Sequence, residues 1–253
     1  MGKQLNSEKL SGNRLLLKYM LTKNLKIAYF ADGAIINPSY YPLSAVETQG
    51  AVLFADLPSF SNFAKDSDPI ECSCYINHFF AWIQGETNNY YGGIIDKFIG
   101  DEIMIVFIKS LCSIDPIKAA MMTAKKILDY DMFSFSPKIG IAAGEFVISL
   151  VGSTEFATVS AIGNTVNLAA RCVGQLEAKT IRIATKDDIM VKEIFNGHEW
   201  NISTVNNFEP KNMDKTKVID VQRITKWILN TDYKEIIAKN VKYARNNGAI
   251  GKD

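Results

Sequence analysis

The chain contains 253 residues, carries a formal net charge of +1 and has a hydrophobic fraction of 47%. This length suits one elaborated domain with a substantial core, and the hydrophobic fraction is that of a globular protein. The near-zero net charge, without a basic cluster interleaved with aromatic residues, argues against nucleic acid as a partner.

The cysteine pattern gives no sign of a disulfide framework or a zinc site. No pair has the C-x-x-C spacing, and the chain holds only two histidines. We therefore interpret the cysteines as reduced residues of a cytoplasmic protein; they are Cys72, Cys74, Cys112 and Cys172. The apolar run at 15–21 is interrupted by Lys18 and is too short to cross a bilayer, so neither a signal peptide nor a membrane span is expected.

Composition and periodicity divide the chain into three regions: an N-terminal extension at 1–46, a main domain at 47–224 and a C-terminal helical tail at 225–253. In the extension, 13–22 has the apolar spacing of a short amphipathic helix, which would pack on the main domain or on a second copy. Residues 37–42 include two prolines and are predicted to form a loop.

Within the main domain, apolar runs and turn residues predict alternating strands and helices. The predicted strands are 51–55, the two arms of a hairpin at 92–107, 138–152 as two strands or one bent pair, 180–185 and 218–221. The predicted helices are 69–91, 115–131, one that opens at Gly163-Asn164, and 187–194. The order β-α-β-β-α-β with further strands predicts an α+β fold with a ferredoxin-like core, an antiparallel sheet with helices on one face.

The hairpin and the first strand of the main domain present two carboxylates. Gly100-Asp101 separates two apolar runs as a two-residue turn, which places Asp101 at the tip. Asp56 ends the strand at 51–55, so the two carboxylates would meet at one end of the sheet if these strands are neighbours. Such a pair suits two divalent metal ions that bind a nucleoside triphosphate.

Glu102 and Lys97 are further charged residues of the same hairpin. Glu102 would point to the other face from Asp101 and is interpreted as structural. Lys97 would share a face with the apolar residues Ile95 and Ile99, where a lysine is costly unless it meets a ligand or a carboxylate.

Three stretches resemble motifs of the class III nucleotide cyclases, in the order and at about the spacing of that family. They are Phe54-Ala55-Asp56-Leu57 with nearby Phe60, Lys97-Phe98-Ile99-Gly100-Asp101, and 163–171 with the sequence GNTVNLAAR. The resemblance covers about 50–221. It implies a cyclase fold and the conversion of a nucleoside triphosphate into a cyclic nucleotide and pyrophosphate.

The resemblance also implies a role for each matching residue. Asp56 and Asp101 would hold two Mg²⁺ or Mn²⁺ ions, with the Leu57 carbonyl as a further ligand. Arg171 would stabilise the charge that develops on the α-phosphate, because a guanidinium is always charged and forks onto phosphate oxygens. Asn167, four residues earlier on the same helical face, would orient the ribose.

Five residues fall at or near positions that bind substrate in the family. Lys97 stands where the family reads the base, and Ser160 stands at the partner base-reading position. A late lysine usually grips the phosphates, and both Lys211 and Lys215 are candidates. Phe54, or the tyrosines upstream of it, would fill part of the base pocket if the base is a pyrimidine, which is smaller than a purine.

In this family the site forms between two domains, and this chain carries both sets of residues once. The resemblance therefore implies a head-to-tail homodimer with two shared sites and an inactive monomer.

The sequence leaves two possibilities for the base, adenine or a pyrimidine. Lys97 agrees with adenylate cyclases, whereas Ser160 departs from the aspartate or threonine that they use; guanylate cyclases typically place glutamate where Lys97 stands. The compact build resembles the stand-alone bacterial pyrimidine cyclases of Pycsar antiphage defence, whose cyclic UMP or cyclic CMP activates a separate effector protein. We favour a pyrimidine cyclase, with ATP as the alternative substrate, and an inactive cyclase-like module that binds nucleotide as a further alternative.

Overall fold

The computed structural model describes residues 12–25, 28–31, 40–87, 91–153, 156–224 and 233–251. The strands are β1 Ala28–Ala31, β2 Tyr40–Leu43, β3 Ala45–Asp56, β4 Gly93–Ile99, β5 Glu102–Ile108, β6 Lys138–Gly152, β7 Ala157–Ile162, β8 Thr180–Ala184, β9 Trp200–Phe208 and β10 Thr216–Arg223. The helices are α1 Gly12–Leu21, α2 Phe60–Asp66, α3 Pro69–Thr87, α4 Pro116–Asp129, α5 Asn164–Val173, α6 Asp188–Ile194 and α7 Tyr233–Asn246. An eight-stranded sheet organises the molecule, with strand order β4-β5-β3-β6-β8-β10-β9 and β7 paired to β6.

The predicted α+β fold is confirmed, and alternation along the central strands explains its layers. Along β3, Leu53 and Ala55 belong to the core beneath α3 and α4, whereas Val52 and Phe54 belong to a second core beneath α1 and α5. The two helices of the predicted β-α-β-β-α-β core, α3 and α4, lie on one face of the sheet as expected, and α1 and α5, which lie outside that order, cover the other face. Successive strand residues point to opposite faces, so a strand made only of apolar residues is buried on both.

Several predicted elements are found as expected. Gly100 and Asp101 form the turn between β4 and β5, and Gly100 has a positive φ of 61°, which a primed hairpin turn requires. Asp115 caps α4, and its side chain accepts hydrogen bonds from the backbone N–H groups of Ile117 and Lys118.

Other parts of the chain differ from the sequence prediction. The segment 138–152 is one continuous strand, β6, which pairs with β3 over 138–149, with β8 over 139–142 and with β7 over 147–152. Residues 40–43 form β2 although they overlap the predicted loop. Neither β7 nor β9 was predicted as a strand.

The two terminal regions pack on the main domain. Helix α1 contacts β4 and β7 of its own chain, and buries Leu16, Tyr19 and Met20 in the second core. Helix α7 packs against α3, while the first residues of the predicted tail, 225–232, lie outside the described residues.

A glycine in β6 sets how closely α5 approaches the sheet. A Cβ atom at Gly140 would lie 2.4 Å from the carbonyl oxygen of Ala169 and 2.8 Å from a methyl carbon of Val173. Only a residue without a side chain therefore lets α5 lie at this distance from the sheet. The candidate site depends on this contact, because α5 carries two of the predicted residues.

Candidate functional site

Asp56 and Asp101 meet at one end of the sheet, as the sequence predicts. Asp56 is the last residue of β3, and β3 pairs with β5, which follows the hairpin tip that carries Asp101. The backbone N–H of Leu57 donates a 3.2 Å hydrogen bond to the carbonyl oxygen of Asp101, which ties the end of β3 to the tip.

A third carboxylate, that of Glu102, belongs to the same acidic cluster. Glu102 is the cross-strand partner of Asp56, so both side chains lie on one face of the sheet. Burial raises the pKa of Glu102, and the charges of Asp56 and Asp101 raise it further. The sequence interpretation placed Glu102 on the opposite face from Asp101 and did not foresee that the β3–β5 register sets it beside Asp56. Its structural role stays a prediction.

Lys138 supplies the positive charge that this cluster contacts. It is paired with Asp56 in the β3–β6 register, and its Nζ lies 3.5 Å from Asp56 Oδ2. Burial raises the pKa of Asp56 and the neighbouring Asp101 charge raises it further, whereas Lys138 lowers it. Sequence reasoning missed Lys138, because only the pairing of strands 82 residues apart brings it to Asp56.

The acidic cluster has the oxygen donors that a divalent ion needs, but it does not enclose one by itself. Within the part of the chain that the structure describes, no group of three or more histidine, cysteine or acidic side chains is arranged to hold a metal ion. Mg²⁺ is commonly bound by one or two carboxylates together with substrate phosphates. Asp56, Asp101 and the Leu57 carbonyl, which also accepts a 3.4 Å hydrogen bond from the Phe60 N–H, fit that incomplete type of site.

A β-bulge in β4 determines where Lys97 points. The register passes from Ile95 opposite Ile105 to Lys97 opposite Met104, so Asp96 is the extra residue. Ile105 belongs to the first core and Met104 to the second, and Lys97 therefore does not share a face with Ile95, contrary to the sequence expectation. Its side chain is 39% exposed, on the face that also carries α1 and α5.

Ser160 lies beside this bulge, but its side chain is already hydrogen-bonded to another residue of the chain. It is 1% exposed, and its hydroxyl donates a 2.8 Å hydrogen bond to Asp96 Oδ2. Asp96 is 2% exposed, and its Oδ1 also accepts a 3.1 Å hydrogen bond from the Ala161 N–H. Sequence reasoning missed Asp96, since it treated the strand as regular.

Asn167 and Arg171 project from the outer face of α5. Thr165, Ala169 and Cys172 form the buried face of that helix, and both predicted residues are exposed. Among the described residues, neither of the two side chains makes a hydrogen bond or an ion pair. The prediction that the two residues share one helical face is confirmed.

The remaining candidates do not join these groups. Phe54 is 3% exposed and packs in the second core, so in this structure its side chain is closed to a nucleotide. Lys211 and Lys215 lie in the loop between β9 and β10, both exposed, and Lys215 forms an ion pair with Glu209.

The comparisons with known proteins agree with this architecture. Residues 45–230 match the family model of the adenylate and guanylate cyclase catalytic domain. A terminal-differentiation-specific adenylate cyclase of Dictyostelium discoideum is 32% identical over 128 residues, which are 47% of this chain and 6% of that protein. The chain covers between 6% and 28% of the length of the curated relatives it matches.

Solved structures of low sequence identity share the fold. The adenylyl cyclase CyaB of P. aeruginosa superposes with a TM-score of 0.60 at 19% identity, over 72% of this chain and 97% of that one. A dimeric guanylyl cyclase domain of the RhoGC fusion protein of Blastocladiella emersonii superposes with a TM-score of 0.55 at 18% identity, over 72% and 99%.

This chain belongs to the adenylate and guanylate cyclase catalytic domain family, because the family model matches well over half of it. It therefore contains a nucleotide cyclase domain. Among the described residues, no helix combines the length and apolar character needed to traverse a bilayer.

Proposed function

We propose that this protein is a homodimeric nucleotide cyclase that converts a nucleoside triphosphate into a 3′,5′-cyclic nucleotide and pyrophosphate. The observation that carries this proposal is the coexistence of two incomplete half-sites in one chain. The first half-site is the acidic cluster at Asp56 and Asp101, whose negative charges repel each other. The second is the pair Asn167 and Arg171, whose side chains point outward from α5 and have no partner among the described residues.

A second copy joins these half-sites. In a head-to-tail dimer, the outward face of α5 from one chain meets the acidic cluster of the other, and the two-fold axis produces two equivalent sites. Each site then holds positive and negative groups around one triphosphate. The guanylyl cyclase domain of the Blastocladiella RhoGC fusion protein, which shares the fold, also forms a dimer, described as non-canonical.

The reaction forms a bond between the ribose O3′ and the α-phosphorus and breaks the bond from that phosphorus to the oxygen that bridges it to the β-phosphate. The O3′ proton passes to solvent water, and pyrophosphate leaves. Two Mg²⁺ or Mn²⁺ ions bound by Asp56 and Asp101 would supply Lewis-acid stabilisation of the phosphate oxygens.

The residues of the chain itself bind and orient the substrate. Arg171 forks onto the α-phosphate oxygens, and Asn167 hydrogen-bonds the ribose. Lys138 stands beside Asp56, where its charge offsets both the acidic cluster and the phosphates. Lys211 or Lys215, from the exposed β9–β10 loop, would extend to the terminal phosphates.

We further propose a pyrimidine nucleotide, UTP or CTP, as the substrate. Ser160 is buried, and its hydroxyl donates a hydrogen bond to Asp96. The Lys97 ammonium is therefore the polar group that this part of the chain offers to the base. An ammonium donates only, and it suits the carbonyl oxygens of uracil and cytosine. The cyclic pyrimidine product would act as a second messenger in antiphage defence by activating a separate effector.

ATP is the second candidate, and one observation favours it. The Dictyostelium relative is named an adenylate cyclase, and a lysine donor also suits N1 of adenine.

The test is to incubate the purified protein with ATP, GTP, CTP and UTP separately, with Mn²⁺, and to identify the products by chromatography. The proposal predicts a cyclic pyrimidine monophosphate and an equal amount of pyrophosphate. Formation of cyclic AMP alone would contradict the pyrimidine substrate but would agree with the proposed cyclase activity. No cyclic product from any of the four would overturn the cyclase proposal.

The defence role has a separate test in bacteria that carry the gene and its neighbours. Phage infection is expected to raise the cyclic pyrimidine nucleotide in the wild type and not in an Asp101→Asn strain. A nucleotide level that infection does not change would contradict that role.

A further inference from the structure

Asp96 is a buried carboxylate between the two strands that carry the candidate base-reading residues. It occupies the bulge of β4, and its two oxygens accept hydrogen bonds from the Ser160 hydroxyl and the Ala161 backbone N–H of β7. These two strands are not neighbours in the sheet, because β7 pairs with β6. The carboxylate of Asp96 therefore links β4 to a strand that backbone pairing does not reach.

Lys97 completes the set of donors around this carboxylate. Its Nζ lies 3.3 Å from Asp96 Oδ2, while more than a third of its side chain is exposed. Burial raises the pKa of Asp96, and Ser160, Lys97 and Ala161 each act in the opposite direction. A buried carboxylate is costly unless donors surround it. This one has a hydroxyl, a backbone amide and an ammonium group.

The bulge and the carboxylate act together on Lys97. In a regular strand, Lys97 would lie on the face of Ile95; the extra residue turns it to the face of Met104. Asp96 then limits where the ammonium can lie, because the nitrogen stays close to a fixed negative charge. A flexible four-carbon side chain otherwise has many rotamers, and its ordering opposes binding.

We infer that Asp96 is a positioning residue that sets base selectivity by fixing the Lys97 ammonium. Ser160 acts through Asp96 rather than on the base, since its hydroxyl is buried and already donates to that carboxylate. This inference rests on the proposed function and deepens it. It assigns selectivity to a residue that does not touch the nucleotide, and it gives Ser160 a supporting role in place of a direct one.

The test uses Asp96→Asn, which keeps the shape and removes the charge. The expected result is a KM for the preferred nucleotide that rises about tenfold, with kcat changed less than about threefold. Discrimination between the preferred and the other nucleoside triphosphates is expected to fall about tenfold, because the ammonium is no longer fixed. Ser160→Ala is expected to move selectivity in the same direction by a smaller factor, and the double variant to be no worse than Asp96→Asn alone.

Asp131→Asn is the matched control. Asp131 is also a buried carboxylate, 4% exposed, and it accepts hydrogen bonds from the backbone N–H groups of Phe135 and Ser136. Its loss is expected to lower thermal stability while the ratio of activities on the four nucleotides stays that of the wild type. This separates an effect on the base from a general loss of packing.

Binding of a non-reactive analogue of each of the four nucleotides is measured in parallel by calorimetry, so the result does not depend on turnover. Unchanged base selectivity in folded Asp96→Asn, in turnover or in binding, would overturn the inference and leave the cyclase proposal intact. A selectivity change in Ser160→Ala that adds fully to that of Asp96→Asn would also overturn it, because Ser160 would then contact the base independently. A wild type that binds selectively but yields no cyclic product would instead contradict the proposed function.

Discussion

Lys138 holds its ammonium nitrogen 3.5 Å from the carboxylate of Asp56, across the antiparallel pairing of β3 and β6. The Lys138 ammonium lowers the pKa of Asp56, whereas the neighbouring carboxylates raise the pKa values of Asp56 and Glu102. This contact occurs at the position where the proposed reaction brings metal ions and phosphates together. The charges of this cluster and the packing of α5 therefore have measurable consequences for stability and for turnover.

Replacing Lys138 by methionine keeps the length of the side chain and removes its charge. Activity is expected to fall about tenfold to a hundredfold, chiefly through a higher KM, because a charge that faces the phosphates is lost. Lys125→Met is the matched control, since Lys125 forms a 2.7 Å ion pair with Asp129 on α4. Equal kinetics of Lys138→Met and the wild type would contradict a role for Lys138 at the substrate.

Asp101→Asn is expected to separate stability from activity. In metal-free protein it removes repulsion with Asp56 and Glu102, so the melting temperature should rise by about 1–3 °C. Turnover should fall by at least about a hundredfold, because one of the two proposed metal carboxylates is gone. Addition of Mn²⁺ should raise the melting temperature of the wild type and not that of the variant, as thermal unfolding with and without the ion will show.

For Asp101→Asn, the surface variant Asp214→Asn provides the comparison, since Asp214 lies exposed in the β9–β10 loop. Equal stabilisation of Asp101→Asn and wild type by Mn²⁺ would argue that the ion binds elsewhere.

Glu102→Gln is expected to show a pH-dependent gain of stability in the metal-free protein. The folded state raises the pKa of Glu102, so its ionisation costs stability at neutral pH, and glutamine removes that cost. The gain should be largest above the raised pKa and should disappear as the pH falls to the ordinary glutamate value of 4.5. Melting temperatures of both proteins at a series of pH values give the difference directly. A gain that grows toward acid pH would contradict the assigned direction.

Gly140→Ala tests whether close packing of α5 holds the site together. The new Cβ would lie 2.4 Å from the Ala169 carbonyl oxygen, so the helix must move. We expect a loss of about 2–4 kcal/mol in the free energy of unfolding and a large loss of activity. Denaturant unfolding measures the first quantity, and product formation measures the second.

Gly85→Ala is the counterpart on α3, where an added Cβ meets nothing within 4 Å. It is expected to raise stability by about 0.5–1 kcal/mol, because glycine weakens a helix interior. Similar effects of the two substitutions would show that the contact between α5 and β6 is not tight.

The sequence was sufficient for those parts of the site that depend on local pattern. Gly100-Asp101 is a turn because of its residue types, and the four-residue spacing of Asn167 and Arg171 places them on one helical face. The end of β3 at Asp56 follows from the apolar run before it. These features require no knowledge of which strands become neighbours.

The parts that were missed depend on pairing between distant segments or on irregular backbone. Lys138 reaches Asp56 only through the register of β3 and β6. The bulge at Asp96 leaves no mark in the residue pattern, yet it reverses the face of Lys97. Phe54 was expected to fill space beside a small base, whereas alternation along β3 places it in the second core.

The proposed dimer arrangement takes the acidic cluster of each site from one chain and its α5 residues from the other. It is tested by mixing Asp56→Ala chains with Arg171→Ala chains, after showing that each variant alone is folded and inactive. A heterodimer would contain one intact site and one doubly defective site. Random pairing therefore predicts recovery of about a quarter of the wild-type activity at equal amounts of the two chains. Recovery should follow the fraction of heterodimer as the ratio changes. No activity at any ratio, in mixtures where native mass spectrometry shows the heterodimer, would contradict a shared site.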